Sequence, residues 1–253
     1  NAISDFEFDE KMAKALLMQG FGLVNTHKED GIVRGTGALI ALDLNGDEAM
    51  RILSNKSGQY LSLSRSVQSR QAYPTSIMGS MALLRQLYYD ADWYKKGNIK
   101  TTDLTLEAFN QNTNLTQIFA AGSRANAIRA DKVGDQFDIQ YTILGGGDEF
   151  ERIEAVKNTN ATFIIPINFP KPYDVEDPFL ADRLELESMR EWNQRPANLS
   201  ALENNEVPFA ITMQGLKSPE SFKTNILSAI EHGLSKSEAL KALTTVPAQI
   251  LKN

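Results

Sequence analysis

No cysteine occurs among the 253 residues, and only two histidines do. The first absence excludes disulfides, thiolate nucleophiles and Cys-ligated zinc, and leaves the redox compartment open. The second bears on metals. No histidine stands between His27 and His232, so the chain holds no closely spaced imidazole pair. Cations are a minority: 26 Lys and Arg stand against 32 Asp and Glu, for a net charge of -6. A surface that tracks nucleic-acid phosphates needs clustered cations in excess, so that partner class is set aside. No apolar run approaches the length of a membrane span. Internal repeats and low-complexity tracts are also missing, as are an initiator Met and a signal peptide. The opening Asn1-Ala-Ile-Ser-Asp5 therefore leads us to expect a processed chain or an internal piece of a longer one.

What is present is apolar material in short, regular blocks. The hydrophobic share is 42%, enough for a large core, and the length suits one α/β barrel-sized domain over residues 1–253. Helical periodicity runs over Asp9–Gln19 up to Gly20, over Ser76–Lys95 and over Leu104–Asn110. Gly22–Thr26 and Gly37–Leu42 read as short strands; residues 44–75 are polar and turn-rich, with a strand near Tyr60–Leu63. From there strands alternate with helices. The strands are Thr116–Ala120, Phe137–Leu144, Ala161–Ile165 and Val207–Thr212; the helices are Arg124–Val133, Asp148–Lys157 and Leu180–Trp192. Ser218 with Pro219 reads as an N-cap followed by Pro at the first helical position. Ser235-x-x-Glu238 reads as a capping box. This alternation implies a parallel sheet with helical cover.

Three segments carry a resemblance. They are the tail Gly233-Leu-Ser-Lys-Ser-Glu-Ala-Leu-Lys-Ala-Leu-Thr-Thr-Val-Pro-Ala-Gln-Ile-Leu251, the helix Tyr73–Tyr94, and the strand-and-loop Gly20-Phe-Gly-Leu-Val-Asn-Thr-His-Lys-Glu-Asp-Gly-Ile-Val-Arg-Gly-Thr-Gly37. In their order along the chain they resemble the amidohydrolase superfamily, in particular its imidazolonepropionase-like members, some of them labelled Xaa-Pro dipeptidases. The resemblance implies a TIM-like (β/α)8 barrel of the metal-dependent hydrolase type. Its first strand and the accompanying small β-sandwich would lie outside these residues.

It also implies where metal ligands would stand. Relatives carry a ligand His at the end of the strand before a segment like Ser123-Arg-Ala-Asn-Ala-Ile128; here that strand ends in Ala120-Ala121-Gly122. The next ligand His would close the following strand, which here ends in Leu144-Gly145-Gly146-Gly147. Relatives close the last strand with Thr-Asp-Gly, whose Asp is ligand and proton shuttle; here Thr212-Met213-Gln214-Gly215 stands there. A catalytic zinc needs about three protein ligands and an open water position, and Ala121, Gly145 and Gln214 supply none of that chemistry.

The expectation is therefore a barrel domain with no catalytic residues and no cofactor, acting as a non-catalytic structural or interaction module of a larger hydrolase. Its partner would be the remainder of the same polypeptide or a competent amidohydrolase barrel, with homo-oligomerisation left open. Relatives place it in the periplasm or outside the cell. One alternative is a zinc-dependent hydrolase of amide or peptide C–N bonds, its His pair supplied from outside the segment and joined by His27 and a carboxylate such as Asp30. Another is a ligand-binding barrel without chemistry. The residues available for a polar barrel mouth are His27, Lys28, Asp30, Arg34, Arg124 and Gln214.

Simpler readings compete elsewhere. His232 before Gly233 suits a helix C-terminus, where the dipole favours an imidazolium. Gly145-Gly-Gly147 lacks phosphate-loop spacing and is followed by Asp148 and Glu149, so a tight turn is expected. Asp43–Glu48 lacks the closing Glu of a calcium loop, and Asp174–Pro178 is a solvated acidic loop or a lid.

Overall fold

The computed structural model of the chain describes residues 2–68, 73–97 and 101–251. Its strands are β1 (Leu23–Thr26), β2 (Val33–Thr36), β3 (Ala38–Ala41), β4 (Ile52–Ser54), β5 (Gln59–Ser62), β6 (Gln117–Ala120), β7 (Thr142–Leu144), β8 (Phe163–Pro166) and β9 (Phe209–Thr212). They form two sheets. The smaller, β1-β3-β4, is antiparallel. The larger has the order β2-β5-β6-β7-β8-β9, antiparallel at β2–β5 and parallel from β5 onward. The fold is thus α/β with a mostly parallel sheet. Among the described residues the sheet does not close; β2 and β9 are its two edges.

The parallel strands are almost continuously apolar because helical crossovers cover them. Their side chains alternate between faces. Leu61, Phe119, Ile143, Phe163 and Ile211 point to one side and join Leu84, Tyr88, Ala127, Val133, Leu199 and Phe222 of the helices in a single core cluster. The other face carries Tyr60, Ile118, Leu144 and Ala210, all buried, while Ala120, Ile164, Pro166 and Thr212 are only partly covered.

Helices begin where short polar side chains can accept from free amides. Ser76 caps the Ile77–Lys95 helix through the Gly79 N–H, Asp103 caps Leu104–Gln111, and Ser123 caps Arg124–Gly134 through the Asn126 N–H. Ser235 accepts from the Glu238 N–H, as the capping box requires. The reciprocal arm differs, because the Ser235 N–H donates to Glu203 of a neighbouring helix at 2.9 Å while Glu238 pairs with Lys241.

Several boundaries depart from the sequence reading. Ser218 and Pro219 form a turn, and the helix starts later, at Ser221, after Glu220. The strand read as Phe137–Leu144 is ordered as a ladder only from Thr142. Before it, the chain leaves the Arg124–Gly134 helix through a 3-10 turn and passes Asp138 at φ 56°. Gly134 is required there: a Cβ would strike the Ile139 carbonyl and the Tyr141 ring. Tyr141 is drawn inward, its hydroxyl 2.6 Å from that of Tyr88, and the two hydroxyls satisfy each other inside the core. β2 and β4 lie in stretches the sequence read as loop, and the Asn198–Asn204 helix was not anticipated.

The small sheet leans on the Tyr60 side of β5. The Asn25 amide donates to the Tyr60 hydroxyl at 2.7 Å and accepts from Ser57 at 2.5 Å. Phe21, just before β1, packs edge-to-face on Phe222 in the helix that follows β9, with ring centroids 4.9 Å apart. Glu29, just after β1, meets Gln214 beyond β9. One segment, residues 21–29, therefore touches both β5 and the residues that follow the edge strand β9 through side chains.

Asp131 in the Arg124–Gly134 helix has its pKa pushed up to about 6, first by burial and then by Asp135, with Lys132 opposing. Its neutral form is favoured by the fold. That contribution is complete below the ordinary value of 3.8 and is lost as pH rises through about 6. Melting temperatures of the native chain and Asp131→Asn should therefore agree at pH 3.5–4, and the variant should melt higher at pH 7–8.

Candidate functional site

In open parallel sheets, ligands gather beyond the carboxyl ends of the strands. Here those ends are Ser62, Ala120, Leu144, Pro166 and Thr212, and the polar groups around them divide into three sets.

The first set surrounds the loop after β1. The His27 ring stacks on Tyr60, centroids 3.8 Å apart and planes within 6°. Burial, with the nearby Arg34 charge, drives its pKa down to about 4, against a smaller opposing pull from Glu29. The imidazole is neutral at physiological pH, and its buried Nε2 has no hydrogen-bond partner among the described residues. Gln214 donates through Nε2 to the Glu29 carboxylate, so the neutral amide at the end of β9 is held across the mouth. Arg34 is half-buried, its Nε donating to the Gly31 carbonyl at 3.2 Å. Asp30 is occupied otherwise: it accepts from the Ser66 hydroxyl and, at 2.8 Å, from the Val67 N–H. These bonds hold its carboxyl below the usual carboxylate range. Lys28 turns outward to Asp5 at 2.9 Å.

The second set starts from Arg124, at the head of the helix after β6. Its guanidinium pairs with Asp148 at 2.7 Å and with Glu151, and its backbone N–H donates to Asp148 at 2.8 Å. Arg124 is committed within the chain and does not join His27, Arg34 and Gln214.

The third set is the glycine loop after β7. Glu149 is fully buried. One carboxylate oxygen accepts from the N–H groups of Gly146 (2.8 Å) and Gly147 (3.3 Å); the other accepts from the Asn198 amide at 2.7 Å. Asn198 in turn accepts from the Phe150 N–H at 2.8 Å. Burial raises the Glu149 pKa, and these donors oppose the rise. The amides that in other loops cradle a phosphate are thus filled by the loop's own carboxylate, which is why Gly145-Gly-Gly147 is a turn. The glycines are forced by space: a Cβ at Gly145 would fall on Glu149, and one at Gly146 on the Gly122 carbonyl.

The positions at which the resemblance would put metal ligands can be read against this geometry. Ala121 faces the helix-side core and is buried in it. Gly145 points its missing side chain at Glu149. By strand alternation the inward positions at these ends are Ala120 and Leu144, which carry no ligating atom either. Gln214 does stand at the mouth, bound to Glu29. Among the described residues no three of His, Asp and Glu converge in a way that could hold a metal ion. A zinc would find His27 Nε2 as a single imidazole, beside a Glu29 already bound by Gln214, and that donor set does not fit it.

Glu149 and Asn198 were missed as a pair from sequence. Glu149 was legible only as an acid after three glycines, and Asn198 only as a polar residue between Pro196-Ala197 and Leu199. His232 is as anticipated: it closes the Ser221–Glu231 helix, with Nδ1 2.7 Å from the Ser228 carbonyl and Gly233 at φ 103°.

No protein-family model matches the sequence, and no curated protein matches it. A solved structure does match in shape: an amidohydrolase from Thermotoga maritima MSB8, with TM-score 0.75 and 17% identity over 97% of this chain. At that identity the likeness shows an amidohydrolase-like fold. The chain spans 65% of the length of that structure.

Two outcomes follow for the site. Gly145→Ala should destabilise the fold by about 1–3 kcal/mol in urea denaturation, because the new methyl must displace a buried, fully bonded carboxylate. For His27, the folded pKa of about 4 lies below the free value of 6.5. Its contribution to stability is present above 6.5 and is lost as pH falls toward 4. An NMR titration should show a neutral imidazole at pH 5.5, where His27→Gln has lost its pH-dependence in this window.

Proposed function

We propose that the chain is an amidohydrolase-like barrel segment whose strand ends have been turned over to internal polar contacts, and that it serves as a non-catalytic structural or interaction module of a larger hydrolase. The observation that carries this reading is the Glu149 network. The loop where a ligand would close β7 is packed around a buried carboxylate with Asn198 and two backbone amides as partners. Gln214 at the end of β9 gives the same message, since a carboxamide bonded to Glu29 neither binds a cation strongly nor shuttles protons.

In this reading the open sheet is completed into the full barrel by strands that pair with β9. Phe209, Ala210 and Ile211 are buried although their strand is an edge. Such an edge presents a row of backbone donors and acceptors to a further strand. The partner is the remainder of the same polypeptide or a competent amidohydrolase barrel beside it.

A second reading rests on one atom. His27 Nε2 is buried and has no partner among the described residues, and in a zinc hydrolase of amide C–N bonds it would join ligands from outside these residues. When bound, zinc polarises a carbonyl and lowers the pKa of its water to about 7. The residues of this chain would then only orient His27 through the Tyr60 stack and hold the mouth closed through Glu29 and Gln214.

Elemental analysis of the purified protein, with hydrolysis assays on N-acyl and Xaa-Pro substrates, separates the two. The module predicts substoichiometric zinc, no chelator-sensitive turnover, and no change on His27→Ala. About one equivalent of retained zinc, lost in His27→Ala together with activity, would establish the second reading.

A further inference from the structure

A cleft of about 480 Å³ opens at the opposite end of the parallel strands from the rim, beneath the starts of β6 to β9 and against the Thr245–Ile250 helix. That volume falls in the range of roughly 300–1,000 Å³ common for small-molecule sites. Leu115, Ile139, Val246 and Ile250 give it an apolar surface. Part of its polar lining is already consumed. The Gln117 amide donates to the Asn112 and Leu115 carbonyls, and the Thr116 hydroxyl to that of Ile250.

The Thr113 hydroxyl and the Gln140 amide are spent likewise, on the Asn110 and Thr159 carbonyls. Other polar groups of the lining are uncommitted. No hydrogen bond from the described residues reaches the hydroxyls of Thr142 and Thr162, the Gln249 carboxamide or the Asp138 carboxylate, all of which line the cleft. Among the described residues no Lys, Arg or His lines it, so an anion would meet a carboxylate and none of their cations.

We propose that this cleft binds a neutral, hydroxyl-rich small molecule of the sugar class. Each threonine hydroxyl both donates and accepts, as a sugar hydroxyl does, and the Asp138 carboxylate can accept from two neighbouring hydroxyls. Asp138 is held in place by the backbone turn at φ 56° that precedes β7. The apolar surface takes the C–H face of a pyranose ring. The site is independent of the proposed function above, since it lies at the far end of the strands from His27 and Gln214.

Isothermal titration and saturation-transfer NMR on the purified protein, with maltose, glucuronate and glucosamine as probes, test the assignment. Maltose binds, glucuronate does not, and glucosamine binds no more tightly than maltose. Thr142→Val and Asp138→Asn each weaken maltose by about tenfold, the loss expected for one hydrogen bond to a charged or well-placed partner. Asp138 is exposed and Asn tolerates its backbone conformation, so that variant remains informative if Thr142→Val fails to fold. Silence toward maltose at tens of millimolar, equal or tighter binding of glucuronate, tighter binding of glucosamine, or unchanged affinity in folded variants would each overturn the assignment.

Discussion

A carboxylate taken out of water must be given donors, and Glu149 shows how far the surrounding chain is shaped by that demand. Its two oxygens collect the amides of Gly146 and Gly147 and the side chain of Asn198. The glycines keep the backbone close enough to donate, and Gly145 leaves room for the carboxylate itself. Asn198 has to be brought from a helix far along the chain, and it also accepts from Phe150. Losing any one partner would strand a buried charge or dipole, at a cost of about 1–3 kcal/mol or more. Such a network ties the end of β7 to the Asn198–Asn204 helix and occupies the Gly146 and Gly147 amides.

The sheet is held in two different ways on its two faces. Toward the helices, large apolar side chains interlock in one continuous core, held chiefly by the hydrophobic effect, with the Tyr88–Tyr141 hydroxyl pair inside it. On the other face Tyr60 is the organising group. It supports the His27 ring and receives the Asn25 amide, so the small antiparallel sheet is attached by a stack and a short chain of hydrogen bonds. The contacts of Phe21 with Phe222 and of Glu29 with Gln214 carry that attachment across to the β9 end. Side chains thus join what backbone ladders leave open.

Much of the fold could be read from residue order. The apolar blocks at Gln117–Ala120, Phe163–Pro166 and Phe209–Thr212, and the helices that follow Ser76, Asp103 and Ser123, stand where periodicity placed them, and Ser235 caps its helix as its sequence pattern implied. Elements whose identity depends on a partner were illegible. Val33–Thr36 becomes a strand because β5 offers it an edge, and Ile52–Ser54 because β3 does. Phe137–Tyr141 is apolar enough for a strand, yet the turn at Asp138 and the demand to bury Tyr141 against Tyr88 spend those residues before the ladder begins. At the rim, six polar residues looked equivalent in sequence. The fold sends Lys28 to Asp5, Asp30 to Ser66 and Arg124 to Asp148 and Glu151, and only His27, Arg34 and Gln214 remain near one another with Glu29.

The sequence by itself determined the chemistry that is available: no thiol, two distant imidazoles, alanine, leucine and glycine at two strand ends and an amide at a third. Side-chain identity fixes ligating capacity whatever the fold, so that much needed no coordinates. Which polar groups are already spent could be decided only in three dimensions. A hydrogen bond depends on a partner's position to within a few tenths of an ångström, and the partners of Glu149, Gln214 and Tyr60 come from segments far away in the chain.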